Sequence, residues 1–295
     1  MVIETQGLSK QYRRTFAVRN LDLAVPEGSI SAFLGPNGSG KTTTIRMLLG
    51  LARPSAGNGM VFGQAVSDDA ASVKIRERTG YVGEDKRLYG YMTVAETLSF
   101  VRCVYPNWNH DREHALLKQF DLPLDRKCKK LSKGMRTKLA LVLALSRRAE
   151  LLILDEPAEG LDPVAAEHLL EGVVQAAADG ATVFFSTHQI SEVERVADHI
   201  FIMNRGQLVL QSATEDIREN YRQIHFAFPA RAPADEMSVD GVRRLRAEGH
   251  VLSVVANGNV ESIVHRGQAL GAISVNVQPI SLREVFLESL DEDRS

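Results

Sequence analysis

The chain has 295 residues, of which 44% are hydrophobic, so it can bury the core of one large domain and a smaller one. Its 35 basic and 37 acidic side chains nearly cancel to a formal net charge of −2, which argues against a protein that binds nucleic acid. Its two cysteines, Cys103 and Cys128, lack metal-ligand spacing and do not make a disulfide scaffold, so the composition fits a protein of the reducing cytoplasm.

A glycine-rich loop is the first segment that indicates chemistry. Residues 29–34 predict a buried strand, residues 35–42 have the sequence GPNGSGKT, and a helix is predicted from Lys41 to Leu49. In this order of strand, loop and helix, the pattern Gly-x4-Gly-Lys-Thr holds nucleotide phosphates with backbone N–H groups at a helix N-terminus. We expect Lys41 to reach the β- and γ-phosphates and Thr42 to bind Mg²⁺. The predicted nucleotide-binding residues of the loop are Gly35, Pro36, Asn37, Gly38, Ser39, Gly40, Lys41, Thr42 and Thr43.

The segment after this helix is predicted to contain turns, then a short strand, and then several helices. Residues 53–63 predict turns, and residues 79–82 predict a short strand. A helical insert of about residues 85–148 follows, in which Thr93 and Glu96 have the spacing of a capping box. Further helices of the insert are predicted around residues 110–120 and 132–148.

An acidic motif ends the next predicted strand. Residues 151–154 form a continuous apolar run that suits a parallel sheet covered on both faces, and Asp155 and Glu156 follow directly. We expect Asp155 to support Mg²⁺, directly or through water, and Glu156 to polarise the attacking water. Taken alone, the motif also fits a strand that ends in a solvated acidic turn, but the upstream phosphate loop favours the catalytic interpretation. Together the motifs predict an α/β P-loop nucleoside triphosphatase core with a mostly parallel sheet.

The flanking segments complete the predicted domains. Residues 1–30 predict short strands, which we assign to an N-terminal antiparallel β subdomain, and the ATP-binding domain is expected to span residues 1–218. Residues 219–295 predict a small C-terminal α+β domain, in which a capping box at Ser281 and Glu284 opens an amphipathic final helix. The other elements of this domain are predicted as strands at residues 251–255 and 273–277 and a helix at residues 260–270.

A third motif lies between the first two: residues 131–135 have the sequence LSKGM. This string, with the ordered motifs of residues 1–215, resembles the ATP-binding subunits of ABC transporters, whose signature loop is usually LSGGQ. The resemblance implies that two subunits sandwich two ATP molecules with Mg²⁺ and hydrolyse them. It also implies that Ser132 and Gly134 face the ATP held by the opposite subunit, although an ordinary N-capped helix would explain Ser132 alone.

The resemblance implies roles for single residues elsewhere in the chain. Tyr12 resembles the aromatic residue that stacks on adenine, although Phe16 competes for that role and a half-buried strand tyrosine is the alternative. Asp162 lies in a segment similar to the D-loop, which contacts the partner subunit, and it also fits a plain helix cap. His188 resembles the switch histidine that contacts the γ-phosphate, so we expect it to act with Glu156 in catalysis.

Three positions depart from the family pattern. Glu84 stands where glutamine is usual, and its carboxylate is expected to bind Mg²⁺ more strongly than an amide and to repel the γ-phosphate without the metal. Lys133 replaces a glycine of the signature loop, where it either contacts phosphate or is solvated. Met135 replaces a glutamine, so a polar contact is lost. None of these changes removes the general base, and hydrolysis is expected to survive.

The resemblance also implies protein partners. An integral-membrane permease is expected to dock a cytoplasmic helix on residues 84–105, unless the large side chains of this segment pack the insert's own core. Those side chains are Tyr89, Tyr91, Met92 and Phe100. The second ATP-binding subunit is another copy of this chain or a different chain. Residues 53–63 and 281–287 are similar to subunits of bacterial multidrug or ABC-2-type exporters, so the chain is expected at the cytoplasmic face of the membrane, held there by its permease.

Two other functions compete with an exporter subunit. The main rival is a soluble ABC-type ATPase that regulates a ribosomal or DNA target. Such proteins often carry two cassettes or a long coiled-coil insertion, and this sequence shows neither. The nearly neutral charge also argues against a nucleic-acid partner. A nucleotide-gated regulator with little turnover is disfavoured by the presence of Glu156.

Overall fold

The computed structural model describes residues 1–105 and 107–291. The chain divides into two compact units, Met1–Gln211 and Ser212–Ser295. Sequence analysis places the boundary after residue 218, whereas the helix Thr214–Asn220 is part of the second unit. Residue 106 of the predicted insert and residues 292–295 of the predicted second domain lie outside the described residues.

The elements of both units are numbered along the chain. The first unit contains β1 (Ile3–Tyr12), β2 (Thr15–Leu21), β3 (Ala24–Val25), β4 (Ile30–Leu34), α1 (Lys41–Leu48), β5 (Ala56–Val61), β6 (Gln64–Ala65), α2 (Asp69–Arg78), β7 (Thr79–Val82), α3 (Val94–Val104), α4 (His110–Gln119), α5 (Lys133–Leu145), β8 (Leu151–Asp155), α6 (Pro163–Ala178), β9 (Thr182–Thr187), α7 (Ile190–Val196), β10 (His199–Asn204) and most of β11 (Gln207–Ala213), with a 3₁₀ helix at Cys128–Lys130. The second contains α8 (Thr214–Asn220), β12 (Tyr221–Ala227), β13 (Val242–Glu248), β14 (Val251–Asn257), α9 (Val260–Ala269), β15 (Ser274–Pro279) and α10 (Leu282–Asp291), with a 3₁₀ helix at Ala234–Glu236.

A six-stranded sheet forms the centre of the first unit, in the order β11-β10-β4-β9-β8-β7. The strands from β10 to β7 are parallel to their neighbours, which confirms the predicted mostly parallel core. Every residue of β4, β8 and β9 is buried, and this burial explains their largely apolar sequences. Because the carboxyl ends of parallel strands meet at one edge of a sheet, the residues that follow these three strands are brought together there.

The N-terminal strands form a separate antiparallel sheet, in the order β2-β1-β5-β6 with β3 paired to β1. The prediction of turns for residues 53–63 is wrong, because β5 occupies most of that segment. Glycines in β5 weaken its local strand signal, yet the sheet requires one of them. A Cβ on Gly57 would lie 2.1 Å from the carbonyl oxygen of Gly7, so only glycine lets the two strands approach this closely.

The helices α3, α4 and α5 build the predicted insert. Its capping box is confirmed: Thr93 Oγ1 accepts a hydrogen bond from Glu96 N at 3.1 Å, and Glu96 Oε2 accepts one from Thr93 N at 2.7 Å. Sequence analysis does not predict α2, because Ser72 and Ile75 are its buried residues and they make too weak an apolar stripe.

The second unit contains a four-stranded antiparallel sheet, in the order β13-β14-β12-β15, with α9 packed on the apolar face. The predicted helix and strands correspond to α9, β14 and β15. The capping box before α10 is also present, since Ser281 N donates to Glu284 Oε2 at 2.8 Å and Glu284 N donates to Ser281 Oγ at 3.3 Å. The strands β12 and β13 were outside the prediction because arginine and other polar residues interrupt their apolar pattern.

Candidate active site

The loop after β4 folds around the side chain of Lys41. The Lys41 ammonium donates hydrogen bonds to the carbonyl oxygens of Gly35, at 2.7 Å, and Pro36, at 3.3 Å, and the side chain is almost fully buried. Gly40 has a φ of 113°, and a Cβ there would lie 2.5 Å from the carbonyl oxygen of Ala17, so only glycine fits. The loop therefore combines a cation with the N-terminus of α1, and both favour an anion.

Two adjacent carboxylates at the end of β8 occupy different environments. Asp155 is fully buried, and its Oδ1 accepts a hydrogen bond from Ser186 Oγ at 2.6 Å, whereas its Oδ2 has no hydrogen-bond partner among the described residues. Glu156 has a φ of 45°, and its backbone N–H donates to Ser186 O at 3.2 Å and to Ser186 Oγ at 3.0 Å. A buried carboxylate oxygen without a partner is destabilising, so Asp155 Oδ2 marks a place for a donor or a cation.

The carboxylate of Glu156 is the centre of a charged cluster. It is 13% exposed, its Oε1 lies 3.3 Å from Lys41 Nζ, and its Oε2 lies 2.9 Å from His188 Nδ1. These three predicted site residues follow three different strands and converge because β4, β8 and β9 end at the same sheet edge. The cluster places a proton acceptor beside a cation that can hold a phosphate.

A buried carboxylate supports the loop that carries His188. Thr187 Oγ1 donates a hydrogen bond to Glu192 Oε2 at 2.8 Å and accepts one from Gln189 N at 3.0 Å. Burial raises the pKa of Glu192 above its usual range. These bonds fix the backbone on both sides of His188. Sequence reasoning missed Glu192, because a glutamate in a short helix is usually solvated.

Glu84 lies beside the predicted metal-binding hydroxyl. Thr42 Oγ1 is 3.4 Å from Glu84 Oε2, and both residues line the pocket described below. Together with the free oxygen of Asp155, they supply the hard oxygen ligands that Mg²⁺ prefers, so the residues present fit that ion. Within residues 1–105 and 107–291, no group of three or more His, Cys, Asp or Glu side chains could hold a metal. Nucleotide and water oxygens would therefore have to complete the coordination.

An open pocket of about 540 Å³ lies between these groups. Its lining residues are Tyr12, Ala17, Asn37, Gly38, Ser39, Gly40, Lys41, Thr42, Thr43, Glu84, Glu156, Glu159 and His188. The ring of Tyr12 is 49% exposed, with Lys10 Nζ 5.1 Å from its centre, so it offers a stacking face at the pocket. Phe16 does not line the pocket, and its ring is 4.8 Å from the guanidinium of Arg19. The geometry favours Tyr12 over Phe16 as the residue that stacks on a base.

Six predicted site residues are absent from this lining. Gly35 and Pro36 accept the hydrogen bonds of Lys41 described above, and Asp155 is fully buried. The other three are Ser132, Gly134 and Asp162. Ser132 caps α5 and Asp162 caps α6, each through a side-chain oxygen that accepts a backbone N–H. A Cβ on Gly134 would lie 2.6 Å from the carbonyl oxygen of Gly160. The first turn of α5 therefore lies close to the backbone of the loop before α6, and glycine at position 134 allows this approach.

Lys133 has a partner that sequence reasoning did not consider. Its Nζ lies 2.6 Å from Glu159 Oε1, and this hydrogen bond lowers the pKa of Glu159. Both side chains are exposed, so the pair stabilises the fold by about 1 kcal/mol at most. Met135 Sδ lies 3.7 Å from a guanidinium nitrogen of Arg126, a weak contact in place of the amide that a glutamine would offer.

Comparisons with known proteins give this geometry a family. Residues 18–159 match the model of the ABC transporter family. The daunorubicin/doxorubicin resistance ATP-binding protein DrrA of Streptomyces peucetius is 37% identical, over 74% of this chain and 67% of its own length. YhaQ of Bacillus subtilis, an uncharacterized ABC transporter ATP-binding protein, is 34% identical over 93% of each chain. The chain belongs to the ABC transporter ATP-binding proteins.

Solved structures agree with this assignment. An ATP-binding subunit of an ABC transporter superposes with a TM-score of 0.67 at 31% identity, over 74% of this chain and 92% of that one. The predicted family and P-loop fold are confirmed, and this ABC subunit is an ATPase. None of the helices formed by residues 1–105 and 107–291 has the length and apolarity needed to cross a bilayer.

Proposed function

We propose that this ABC subunit hydrolyses ATP with Glu156 as the general base. The observation that carries the proposal is the Glu156 carboxylate, held between Lys41 Nζ and His188 Nδ1 in the pocket of the phosphate loop. A general base must lie near both the proton that it takes and the group that anchors the substrate. Glu156 lies 3.3 Å from the cation that would anchor the phosphates, and His188 would contact the γ-phosphate and orient the carboxylate.

In the proposed reaction, the ATP phosphates lie in the loop of residues 35–43 and the base stacks on Tyr12. A water molecule attacks the γ-phosphorus while Glu156 accepts the water proton. The bond from the γ-phosphorus to the β–γ bridging oxygen breaks, and ADP and phosphate leave. Lys41 stabilises the charge on the β- and γ-phosphates. Mg²⁺, held by Thr42, Asp155 and Glu84, would neutralise charge on the phosphate oxygens when bound.

The carboxylate at position 84 is expected to make nucleotide binding unusually dependent on Mg²⁺. Glu84 lies beside Thr42, so without the metal it repels the γ-phosphate. We expect Glu84→Gln to bind ATP about tenfold more tightly than the wild type in EDTA, which corresponds to one like-charge contact at a partly solvated site. Titration with a fluorescent ATP analogue, with and without Mg²⁺, measures this. Asp85→Asn removes an adjacent exposed charge as the control. An unchanged Mg²⁺ dependence in Glu84→Gln contradicts the proposal.

A second subunit is proposed to complete each ATP site. Ser132 and Gly134 lie at the start of α5, outside the lining of their own chain's pocket, and they would face a nucleotide held by another chain. The N-terminus of α5 would then point its N–H groups at the γ-phosphate. Asp162 lies on the loop in contact with Gly134 and would belong to the same interface. Each chain carries both the phosphate loop and the start of α5, so a homodimer is sufficient for two complete sites. A different ABC subunit as the second chain would serve equally.

The membrane partner is proposed to be the permease of an exporter, which would hold this chain at the cytoplasmic face. Tyr89, Tyr91 and Phe100 form an exposed aromatic group, in which the Tyr89 ring centre lies 5.8 Å from each of the other two. Because these rings are exposed, they do not serve as the core of the insert, whereas Met92 is half-buried. Exposed apolar groups of this kind mark interaction surfaces. The name of DrrA, a drug-resistance ATP-binding protein, supports export as the direction.

Substitutions in the aromatic group test this partner. We expect the wild type, purified from detergent-solubilised membranes, to bring with it a protein with several membrane spans, and the double variant Tyr89→Glu, Phe100→Glu to lose it. Val73→Glu alters an apolar side chain on α2 with similar exposure and should retain the membrane protein. ATPase activity of the isolated subunit should be the same in all three. Recovery of the wild type with ribosomes or DNA, and without a membrane protein, would favour the soluble regulatory ATPase instead.

A further inference from the structure

A buried lysine lies behind the proposed general base, and the reaction described above gives it no role. Lys86 is 7% exposed, and its Nζ donates a hydrogen bond of 3.0 Å to the backbone carbonyl oxygen of Glu156. Within the described residues, Lys86 makes no ion pair within 4.0 Å. Burying an ammonium without a paired carboxylate is destabilising, so its place in the fold needs a reason.

The backbone of Glu156 provides that reason. Its φ of 45° lies in the left-handed region, which is strained for a glutamate and persists only when its surroundings hold it. Ser186 holds the N–H of Glu156 through two acceptors. On the other side, the carbonyl oxygen of Glu156 accepts hydrogen bonds from Lys86 Nζ and from Glu159 N at 3.2 Å. Lys86 is thus the side chain that holds the carbonyl side of this residue.

We propose that Lys86 is a positioning residue for ATP hydrolysis, which fixes the peptide group of Glu156 and thereby the carboxylate that takes the proton from water. It does not line the nucleotide pocket, so it acts through Glu156 and not on ATP. This role rests on the proposed function of Glu156 as the general base. A carboxylate displaced by about 1 Å from its reactive position can lose about a hundredfold in rate, so one hydrogen bond to the backbone is enough to matter.

The segment of residues 83–88 extends the role of Lys86 beyond a single bond. Glu84 at one point of this segment contacts Thr42, and Lys86 contacts Glu156, so the segment reaches both the phosphate loop and the general base. The segment therefore connects these two parts of the site through Glu84 and Lys86.

The variant Lys86→Met removes the ammonium, keeps an unbranched side chain of similar length, and so tests the positioning role. We expect Lys86→Met to lower kcat by about 10- to 100-fold while KM for ATP stays within about twofold, because the carboxylate is displaced and the nucleotide contacts are kept. Lys86→Arg keeps a cation and N–H donors, so it should recover part of the loss. Lys74→Met removes an exposed lysine of α2 and serves as the matched control with unchanged kinetics. Melting curves of all variants verify that they fold.

The possible results separate this role from the proposed function. Lys86→Met with the kcat of Lys74→Met overturns the role, and so does a loss confined to KM. If Lys86→Met does not fold, Lys86→Leu, which also lacks an N–H donor, decides by the same comparison of kcat and KM. If Glu156→Gln is inactive while Lys86→Met is fully active, only the positioning role fails. If Glu156→Gln keeps wild-type turnover, the proposed general base itself fails.

Discussion

Replacing Glu156 by glutamine is expected to abolish ATP turnover and to accumulate an ATP-bound dimer. The amide keeps the size of the side chain and still offers an oxygen to Lys41 Nζ, so the pocket should bind ATP as before. It cannot accept the proton of the attacking water, and a general base typically contributes about 10²- to 10⁴-fold to the rate. Phosphate release measures the loss, and light scattering with Mg²⁺ and ATP measures the dimer.

Two further variants serve as a control for the loss of turnover and as a test of the dimer interface. Glu167→Gln removes a carboxylate from an exposed ion pair with Arg195 and should turn over ATP at the wild-type rate. Ser132→Arg, combined with Glu156→Gln, places a bulky side chain at the start of α5 and should keep the protein monomeric in ATP. Wild-type phosphate release by Glu156→Gln would falsify the role of the carboxylate. A dimer that still forms in the double variant would exclude Ser132 from the interface.

The second large effect is expected from Lys41→Met, in stability as well as in nucleotide binding. The ammonium of Lys41 is buried against Glu156 Oε1 at 3.3 Å, and Glu156 is itself largely buried. Removing the ammonium leaves the largely buried carboxylate without its cation, although His188 still contacts it, and leaves two loop carbonyls without this donor. The free energy of unfolding without nucleotide should therefore fall by about 3 kcal/mol. Binding of ATP should be lost, because the cation that anchors its phosphates is gone. Urea denaturation and nucleotide titration measure the two effects.

A double variant identifies the origin of this instability. Lys41→Met combined with Glu156→Gln removes both charges and should be more stable than Lys41→Met alone. Lys138→Met breaks another lysine–carboxylate pair of the same unit, with Asp162, whose side chain is more than half exposed. Its cost should be much smaller than that of Lys41→Met, because water already solvates this pair. Equal stability of Lys41→Met with and without the glutamate would show that lost packing, and not the unpaired charge, destabilises the variant.

Much of the site follows from the order of strands and motifs in the sequence. The loop before α1, the carboxylates after β8 and His188 after β9 each follow a buried strand, and parallel strands bring their carboxyl ends together. The convergence of Lys41, Glu156 and His188 is therefore predictable without coordinates. The helix caps are equally local, since a serine or an aspartate accepts N–H groups only three residues ahead.

Contacts between distant segments could not be predicted in this way. Lys86 appears in the sequence as one more charged residue of a loop, and its bond to the carbonyl of Glu156 spans residues far apart in the chain. The same is true of the pair between Lys133 and Glu159. The strand β5 was missed for a related reason, because pairing with β1 outweighs the weak propensity of its glycines.

The close approach of Gly134 and Gly160 connects two segments of one chain that belong to two different nucleotide sites of the proposed dimer. Gly134 lies in the first turn of α5, which is proposed to face the other protomer's nucleotide, whereas Gly160 follows the chain's own Glu156. Because the two segments approach this closely, a shift of one toward the other would displace it. In a dimer, release of phosphate from one nucleotide site would weaken the contacts of the second site with its own nucleotide. The rate should then depend on ATP concentration with a Hill coefficient above unity.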